Sequence, residues 1–431
     1  RGRRDMTDSV RIAIVGCGGM GHRHLAGLGE LARSSSPSVE LVAVCDPKLD
    51  NAEALADEAE RLLGRRPSVH ATARAMVSAR PELEAADCTT DTGSHHAVVP
   101  ELLELGLHTM CEKPLALTIR GCDAIREACR SSDRLVSVAE NFRRDPMNRL
   151  VKALIEDGAI GAPQFVEEVS VGGRDDILIT PWRHMKRFGT IPVDAGVHSA
   201  DLLQYLFGPV SSASGLAHLF ERTRHKRQTA GPGGFYERWA SEMPEQIEPD
   251  GEDAIFGLVE FENGSIGQWT EHHAGHGLPS RSRLLFGTRG SIVAPGDRNG
   301  NPVRLVLDDG TDLFDERVLD LAPSYHLPPL AAELFGSERP WRYDYGFVAT
   351  DRKLLALEYD ELAQAVRTGA QPEVDVETAA RALALVYALF ESSLAHRSVA
   401  LAEVLDGSVD AYQRDIDLHL GLLAADVSGG R

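Results

Sequence analysis

Two stretches carry residue types suited to proton transfer. Lys113 lies in CEKP (111–114), at the end of an apolar run, and VDAGVHSADLLQYLFGP (193–209) places Asp194 and His198 four apart. On a helix that spacing sets both on one face, with Asp201 three residues further on and the remaining face apolar. A histidine and a carboxylate near a lysine can take a proton from a hydroxyl, or return it, near neutral pH. The same pattern also suits a helix capped by Asp194 with His198 packed inside it, and a lysine in a solvated loop. A third stretch, GCGGMG (16–21), has glycines at 16, 18 and 21. In that G-x-G-x-x-G spacing the first glycine permits a tight turn. The second lets backbone approach a pyrophosphate, and the third lets the following helix pack close. Asp46 ends the next apolar run. A carboxylate there accepts from both ribose hydroxyls and repels a 2′-phosphate, so NAD is expected in preference to NADP.

These residues need particular elements to hold them. From residue 10 to about 140, apolar runs alternate with amphipathic stretches: VRIAIV (10–15), VELVAVC (39–45), SVHA (68–71), LEAADCTT (83–90), HTMCE (108–112) and LVSVAE (135–140). Unbroken apolar strands separated by helices predict a parallel sheet covered on both faces, hence an α/β doubly wound domain of the Rossmann type over 8–140. The glycine loop then opens a helix whose N-terminus favours phosphate. In an open α/β sheet, Lys113 at the end of the fifth strand falls where ligands bind.

Beyond residue 150 the texture changes. A helix is predicted in 146–161, a strand at 165–171 and a helix in 196–208. Strands follow in 254–274, 283–288 and 303–310, with a hairpin turn at ENGS (262–265). This predicts an α+β domain with an open, mostly antiparallel sheet over 141–405. Helices at 353–369 and 377–397 are placed to pack back on the first domain, and 406–431 reads as a tail. Residues 221–252 are polar and rich in Gly and Pro, and read as a loop insertion.

The chain has 431 residues and a formal net charge of −20, which disfavours nucleic acid as a partner. It has no apolar run of membrane-spanning length. None of the six cysteines forms a CxxC pair. Cys45, Cys88 and Cys111 read as small buried hydrophobes, and a reducing, cytoplasmic setting is expected. EHHAGH (271–276) invites a metal reading, but a strand would point His272 and His273 to opposite faces, so three-way ligation with His276 would need an irregular loop. No metal is expected. His95 and His96, at a helix start, read as capping and packing residues, with a cofactor-side role open to one of them.

The blocks GCGGMGHRH (16–24), VAVCD (42–46), GLHTMCEKPLALT (106–118), NFRRDPMNRLVKALIEDGAIG (141–161), PWRHMKRFGTIPVDAGVHSADLLQYLFG (181–208) and GSIGQWTEHHAG (264–275) together resemble the glucose–fructose oxidoreductase and inositol dehydrogenase family, Gfo/Idh/MocA. The resemblance implies NAD(P) in the first domain, held by Gly16, Gly18, Gly19, Met20, Gly21, Asp46, Glu112 and Lys113. It implies a catalytic set of Lys113, Asp194 and His198 and hydride exchange with a secondary hydroxyl of a sugar, sugar derivative or cyclitol. In that scheme His198 is the acid/base, Asp194 orients it, and Lys113 hydrogen-bonds the reacting oxygen. Asn141, Arg143, Arg183 and His184 are candidates for binding a polyol. Gly189-Thr190-Ile191-Pro192 departs from the paired or triple glycines common in the family before this aspartate, and an altered substrate approach is expected there. Rival readings are an NAD-retaining enzyme that cleaves glycosides by oxidation, elimination and reduction, and a non-catalytic NAD-binding regulator. An exposed second-domain sheet favours a homodimer or homotetramer.

Overall fold

The computed structural model describes residues 9–227 and 241–424. The N-terminal sheet is wholly parallel, with order β3-β2-β1-β4-β5-β6 built from Val10–Val15, Val39–Cys45, Ser68–His70, Ala85–Cys88, His108–Glu112 and Val136–Ala139 as β1 to β6. Helices α1 (Gly19–Ala32), α2 (Leu49–Leu63), α3 (Ala73–Ala79), α4 (His95–Glu104) and α5 (Ile119–Ser132) alternate with them. Burial on both faces explains the unbroken apolar runs: all of β4 and β6, and all but the first residue of β5, are buried.

The second sheet has nine strands in the order β16-β15-β14-β13-β7-β12-β11-β8-β17. They are β7 (Pro163–Gly173), β8 (Val210–His218), β11 (Ala254–Phe261), β12 (Ile266–Gly275), β13 (Ser280–Gly287), β14 (Gly290–Ala294), β15 (Arg304–Leu307), β16 (Asp312–Leu313) and β17 (Val399–Ala400). A short pair, β9 (Arg224–His225) with β10 (Gln246–Ile247), stands apart. The β7–β12 pair is parallel and the other ladders are antiparallel. Helix α6 (Pro146–Glu156) links the domains. Helix α7 (Ile191–Phe207) packs on β11 and β12, and α10 (Val376–Ala395) packs on β8 and α7. The remaining helices are α8 (Pro329–Phe335), α9 (Gly346–Thr368), α11 (Leu401–Leu405) and α12 (Arg414–Leu420).

Helix α9 packs back along α1. Gly27 makes that approach possible, since a Cβ there would lie 2.4 Å from Leu355 Cβ. Helix α10 reaches α5 and β6. Residues 406–424 fold onto the start of α5 rather than trailing away: Gln413 Oε1 accepts from Ile119 N, and Arg120 pairs with Asp410 and Asp417. Part of the insertion, 228–240, lies outside the described residues. Its second arm is tied to the segment before α7, where Lys186 N donates to Asp250 Oδ1 at 2.7 Å and Gly251 N to His184 O at 3.2 Å.

Several boundaries differ from the sequence reading, and two of them have a plain local cause. Helix α7 begins five residues before the predicted 196, because Thr190 caps it by accepting from Val193 N, and Pro192 suits its first turn. The residues that depart from the family's glycines are thus the start of the helix, and they place Asp194 in its first turn. The strand predicted over 303–310 closes at Leu307, where Asp309 and Gly310 turn the chain into β16.

Candidate active site

The carboxyl ends of β1, β2, β5 and β6 and the first two turns of α7 carry the residues of interest. Gly16 has φ +98°, and a Cβ there would lie 2.7 Å from Thr90 N. A Cβ at Gly21 would lie 2.5 Å from Gly16 O. Both positions therefore exclude a side chain, Gly16 through the segment after β4 and Gly21 through the turn itself. Gly18 differs: its Cβ would meet nothing within 4 Å, and it caps α1 with no side-chain bond. The helix thus presents bare N–H groups to an open cradle of the kind a pyrophosphate fills. Asp46 is buried beside it, accepting from Cys17 N and from Lys48 N, each at 2.8 Å. Each carboxylate oxygen keeps a further lone pair for a ribose hydroxyl. These residues fit a dinucleotide.

Lys113 follows β5. Its ammonium donates to Asp194 O at 2.8 Å and lies 3.2 Å from Asp194 Oδ1. The other carboxylate oxygen, Oδ2, accepts from Arg183 Nε at 3.0 Å. Burial alone would raise the Asp194 carboxyl, but Arg183 and Lys113 outweigh it and hold the group well below the usual carboxylate range. Asp194 is therefore ionised across the neutral range and fixed between two cations.

His198 lies one turn further along α7, but its partner is not Asp194. Its Nδ1 sits 2.7 and 2.8 Å from the two carboxylate oxygens of Glu140, the residue that follows β6. Phe142 stacks on the ring with centroids 4.0 Å apart and planes 3° from parallel. The expectation that Asp194 orients His198 is thus corrected. The i, i+4 spacing does put both on one helix face, but two cations claim the Asp194 carboxylate and leave the imidazole to Glu140. Sequence reading missed Glu140. Its signal was an acid at the carboxyl end of an apolar run, the logic that drew attention to Lys113.

A buried ionic chain lies under the lysine. Glu112 Oε2 accepts from Lys113 N at 2.9 Å, while Oε1 faces His24 Nε2 at 2.9 Å; His24 Nδ1 faces Asp87 Oδ2 at 2.9 Å, and Tyr359 of α9 donates to the same oxygen. Both ring nitrogens of His24 face carboxylates, so the ring carries two protons. Burial alone would push His24 down, but Asp87 and Glu112 lift it to about 10. Burial likewise works against the Glu112 carboxylate, yet His24, Arg23 and Lys113 hold it at about 2. The Glu112 carboxylate is therefore bonded beneath the loop, between the Lys113 backbone and His24. His24, three residues past the last glycine, went unread for its role.

The polyol candidates divide. Asn141 is buried beside Glu140, and its Oδ1 has no hydrogen-bond partner among the described residues. Such an orphaned acceptor suits an incoming donor. Arg183 reaches the site through Asp194 and stacks its guanidinium 4.2 Å from the Trp182 ring centre. Arg143 is instead committed to a two-bond pair with Asp201 and lies against Tyr205. His184 is buried and accepts from Leu178 N through Nε2. Burial, aided by Arg224 and His273, pushes it down to about 3, so it is a neutral part of the core.

The histidines of EHHAGH diverge as the strand pattern requires. His272 packs near Phe220, His273 lies 3.3 Å from Glu271 Oε2, and His276 pairs with Glu221. His95 is buried, with Nδ1 3.0 Å from Pro114 O and Nε2 3.3 Å from Thr90 O, while Cys88 and Cys111 are buried close by.

A parallel nucleotide-binding sheet joined to an open mixed sheet, with a lysine, an aspartate and a histidine where the two meet, defines a class of two-domain nicotinamide-dependent oxidoreductases. The chain belongs to the Gfo/Idh/MocA oxidoreductase family. Residues 10–140 match the family's NAD-binding Rossmann fold, and residues 152–401 match its C-terminal alpha/beta domain. It is 31% identical to D-apiose dehydrogenase of Paraburkholderia graminis over 201 residues, 46% of this chain and half the length of that enzyme. It is 25% identical to levoglucosan dehydrogenase of Pseudarthrobacter phenanthrenivorans, over 74% of this chain and 81% of that enzyme. An oxidoreductase from Agrobacterium radiobacter, solved with NAD+, L-tartaric acid and magnesium, superposes over 91% of this chain and 99% of its own with a TM-score of 0.67 at 20% identity.

Proposed function

We propose that this protein is a dehydrogenase, preferring NAD to NADP, that exchanges a hydride with a secondary hydroxyl or keto carbon of a sugar, sugar derivative or cyclitol. The observation that carries the reading is the convergence of Lys113, Asp194 and His198 beside the end of the sheet that opens the glycine cradle. The relatives that act on D-apiose and levoglucosan support the substrate class.

Gly16, Gly18, Gly19, Met20 and Gly21 would hold the dinucleotide phosphates through backbone, and Asp46 the ribose. When bound, the nicotinamide supplies or accepts the hydride. Lys113 donates a hydrogen bond to the reacting oxygen and stabilises its developing negative charge, its ammonium aimed by Asp194. His198 takes the hydroxyl proton at Nε2 during oxidation and returns it during reduction, because its Nδ1 is held by Glu140. Asn141 offers its unpartnered Oδ1 to a second hydroxyl, and Arg183 holds Asp194 from the far side. Arg143, paired with Asp201, and His184, held in the core, leave substrate contact to the others.

The open face of the nine-stranded sheet exposes Leu216, Leu258, Ile266, Phe286 and Val293, and supports association of two copies face to face, as a dimer or within a tetramer. Among the described residues no helix is long and apolar enough to cross a membrane.

The test is a panel of sugars, cyclitols and glycosides with NAD+ or NADP+, followed by nicotinamide absorbance. Net NADH formation with a polyol supports the proposal. Glycoside cleavage without net NADH, or silence across the panel, overturns it.

A further inference from the structure

We propose that Glu140 is the positioning residue of the proton-transfer step: it fixes His198 as the tautomer protonated at Nδ1, leaves Nε2 free for substrate, and stabilises the ring when it carries both protons.

Three carboxylates lie near His198, and two are already committed. Asp194, on the same helix, is held between Lys113 and Arg183. Asp201, one turn further along, forms its two-bond pair with Arg143. Glu140 alone faces the imidazole, and both of its oxygens lie within 2.8 Å of Nδ1. Its own position is set independently of the histidine. Phe142 N donates to Glu140 Oε1 at 3.0 Å, and Arg144 Nη1 donates to Glu140 O at 2.5 Å.

The ring is fixed in a second direction by Phe142, whose face also carries the Arg298 guanidinium at 4.7 Å from its centre. A hydrogen bond in the plane and a stacked ring across it leave the imidazole one orientation. The charged groups around His198 are thus Glu140 from the end of β6, Asp194 and Asp201 from α7, Lys113 from the end of β5, and Arg298 behind Phe142. Burial works against the Glu140 carboxylate, yet His198, the Phe142 amide and Lys113 hold it below the usual range, so it remains an anion while the ring gains its proton. A neutral partner of the same shape would keep the tautomer and lose the charge.

The catalytic part of this inference rests on the dehydrogenase reading, whereas the state of the ring does not. The first experiment therefore needs no substrate. In protein labelled with 15N-histidine, His198 is assigned by comparison with His198→Asn, and its ring nitrogens are followed through a pH titration. The expected result is Nδ1 protonated and Nε2 bare in the neutral form. A neutral form protonated at Nε2 overturns the proposal without any variant at Glu140.

In Glu140→Leu, which removes the acceptor, Nδ1 should lose its preference for the proton and the neutral ring should populate both tautomers. Glu140→Asp, which keeps the charge, should stay nearer the wild type. With a polyol substrate, Glu140→Gln should lower kcat about 10- to 100-fold with KM for NAD+ within about twofold. A folded Glu140→Leu whose neutral ring still holds its proton at Nδ1, or an unchanged kcat in Glu140→Gln, would sink the idea. If the nitrogens behave as expected while no polyol is turned over, the dehydrogenase reading has failed and the role of Glu140 in setting the ring has not.

Discussion

Each side chain at the centre of the site is given its task by what it touches. Asp194 and His198 share a helix face, but different partners divide their work: Asp194 aims an ammonium, and Glu140 aims an imidazole. That division was not legible in the sequence, because Glu140 stands 58 residues before His198 and no spacing rule links an acid after a strand to a distant helix. The positions of Lys113 and the glycines were legible, since each directly follows the end of a strand. Asp46 is the residue on which the proposed coenzyme choice turns. Its two oxygens already hold Cys17 N and Lys48 N, so it is rigid as well as charged. Asp46→Asn keeps an acceptor for the Cys17 amide while removing the charge that repels a 2′-phosphate. It should shift the ratio of NADP+ to NAD+ affinity toward NADP+ by about tenfold or more, measured by fluorescence titration of both coenzymes. An unchanged ratio would show that Asp46 does not discriminate.

At the scale of elements, helix α1 and the loop after β5 are joined by a buried imidazolium. His24 comes from the helix that opens the cradle, Glu112 from the strand that ends at Lys113, Asp87 from β4, and Tyr359 from α9. The sequence placed the strands well, because buried parallel strands are unbroken apolar runs. It could not show that one histidine joins four elements.

The His24 shift has a consequence for stability. A histidine raised on folding contributes stability in full below its unfolded value, near pH 6.5, and that contribution is lost as pH rises through about 10. Thermal melting of the wild type should therefore fall across that alkaline window. His24→Asn should melt lower at pH 7 and lose much of the alkaline slope. A variant with the wild-type melting temperature and slope would show that the buried chain contributes nothing.

The whole molecule brings two kinds of sheet together, with α9 and α10 returning to tie the second to the first. Composition and strand rhythm predicted that division, and the antiparallel hairpin at 262–265 is where the sequence placed it. The tail after 406 was less legible. Its contacts run through Gln413 and two aspartates to the start of α5, polar pairings that apolar periodicity does not report. The exposed sheet face belongs to this scale. Leu258 is 55% exposed in the middle of β11, a position suited to an interface between copies. Leu258→Glu should convert an assembled species to a smaller one in sedimentation velocity without lowering NAD+ affinity. A wild type that is already monomeric would remove the case for association through this face.

The central claim is that an amine on the first domain and an imidazole on the second act on one hydroxyl. The most direct measurement is the rate of NADH formation from a polyol by the wild type and by Lys113→Ala, with NAD+ binding measured alongside. Turnover by the wild type, a loss of about 100-fold or more in the variant and retained NAD+ binding are expected. Equal rates in the two proteins would contradict the account.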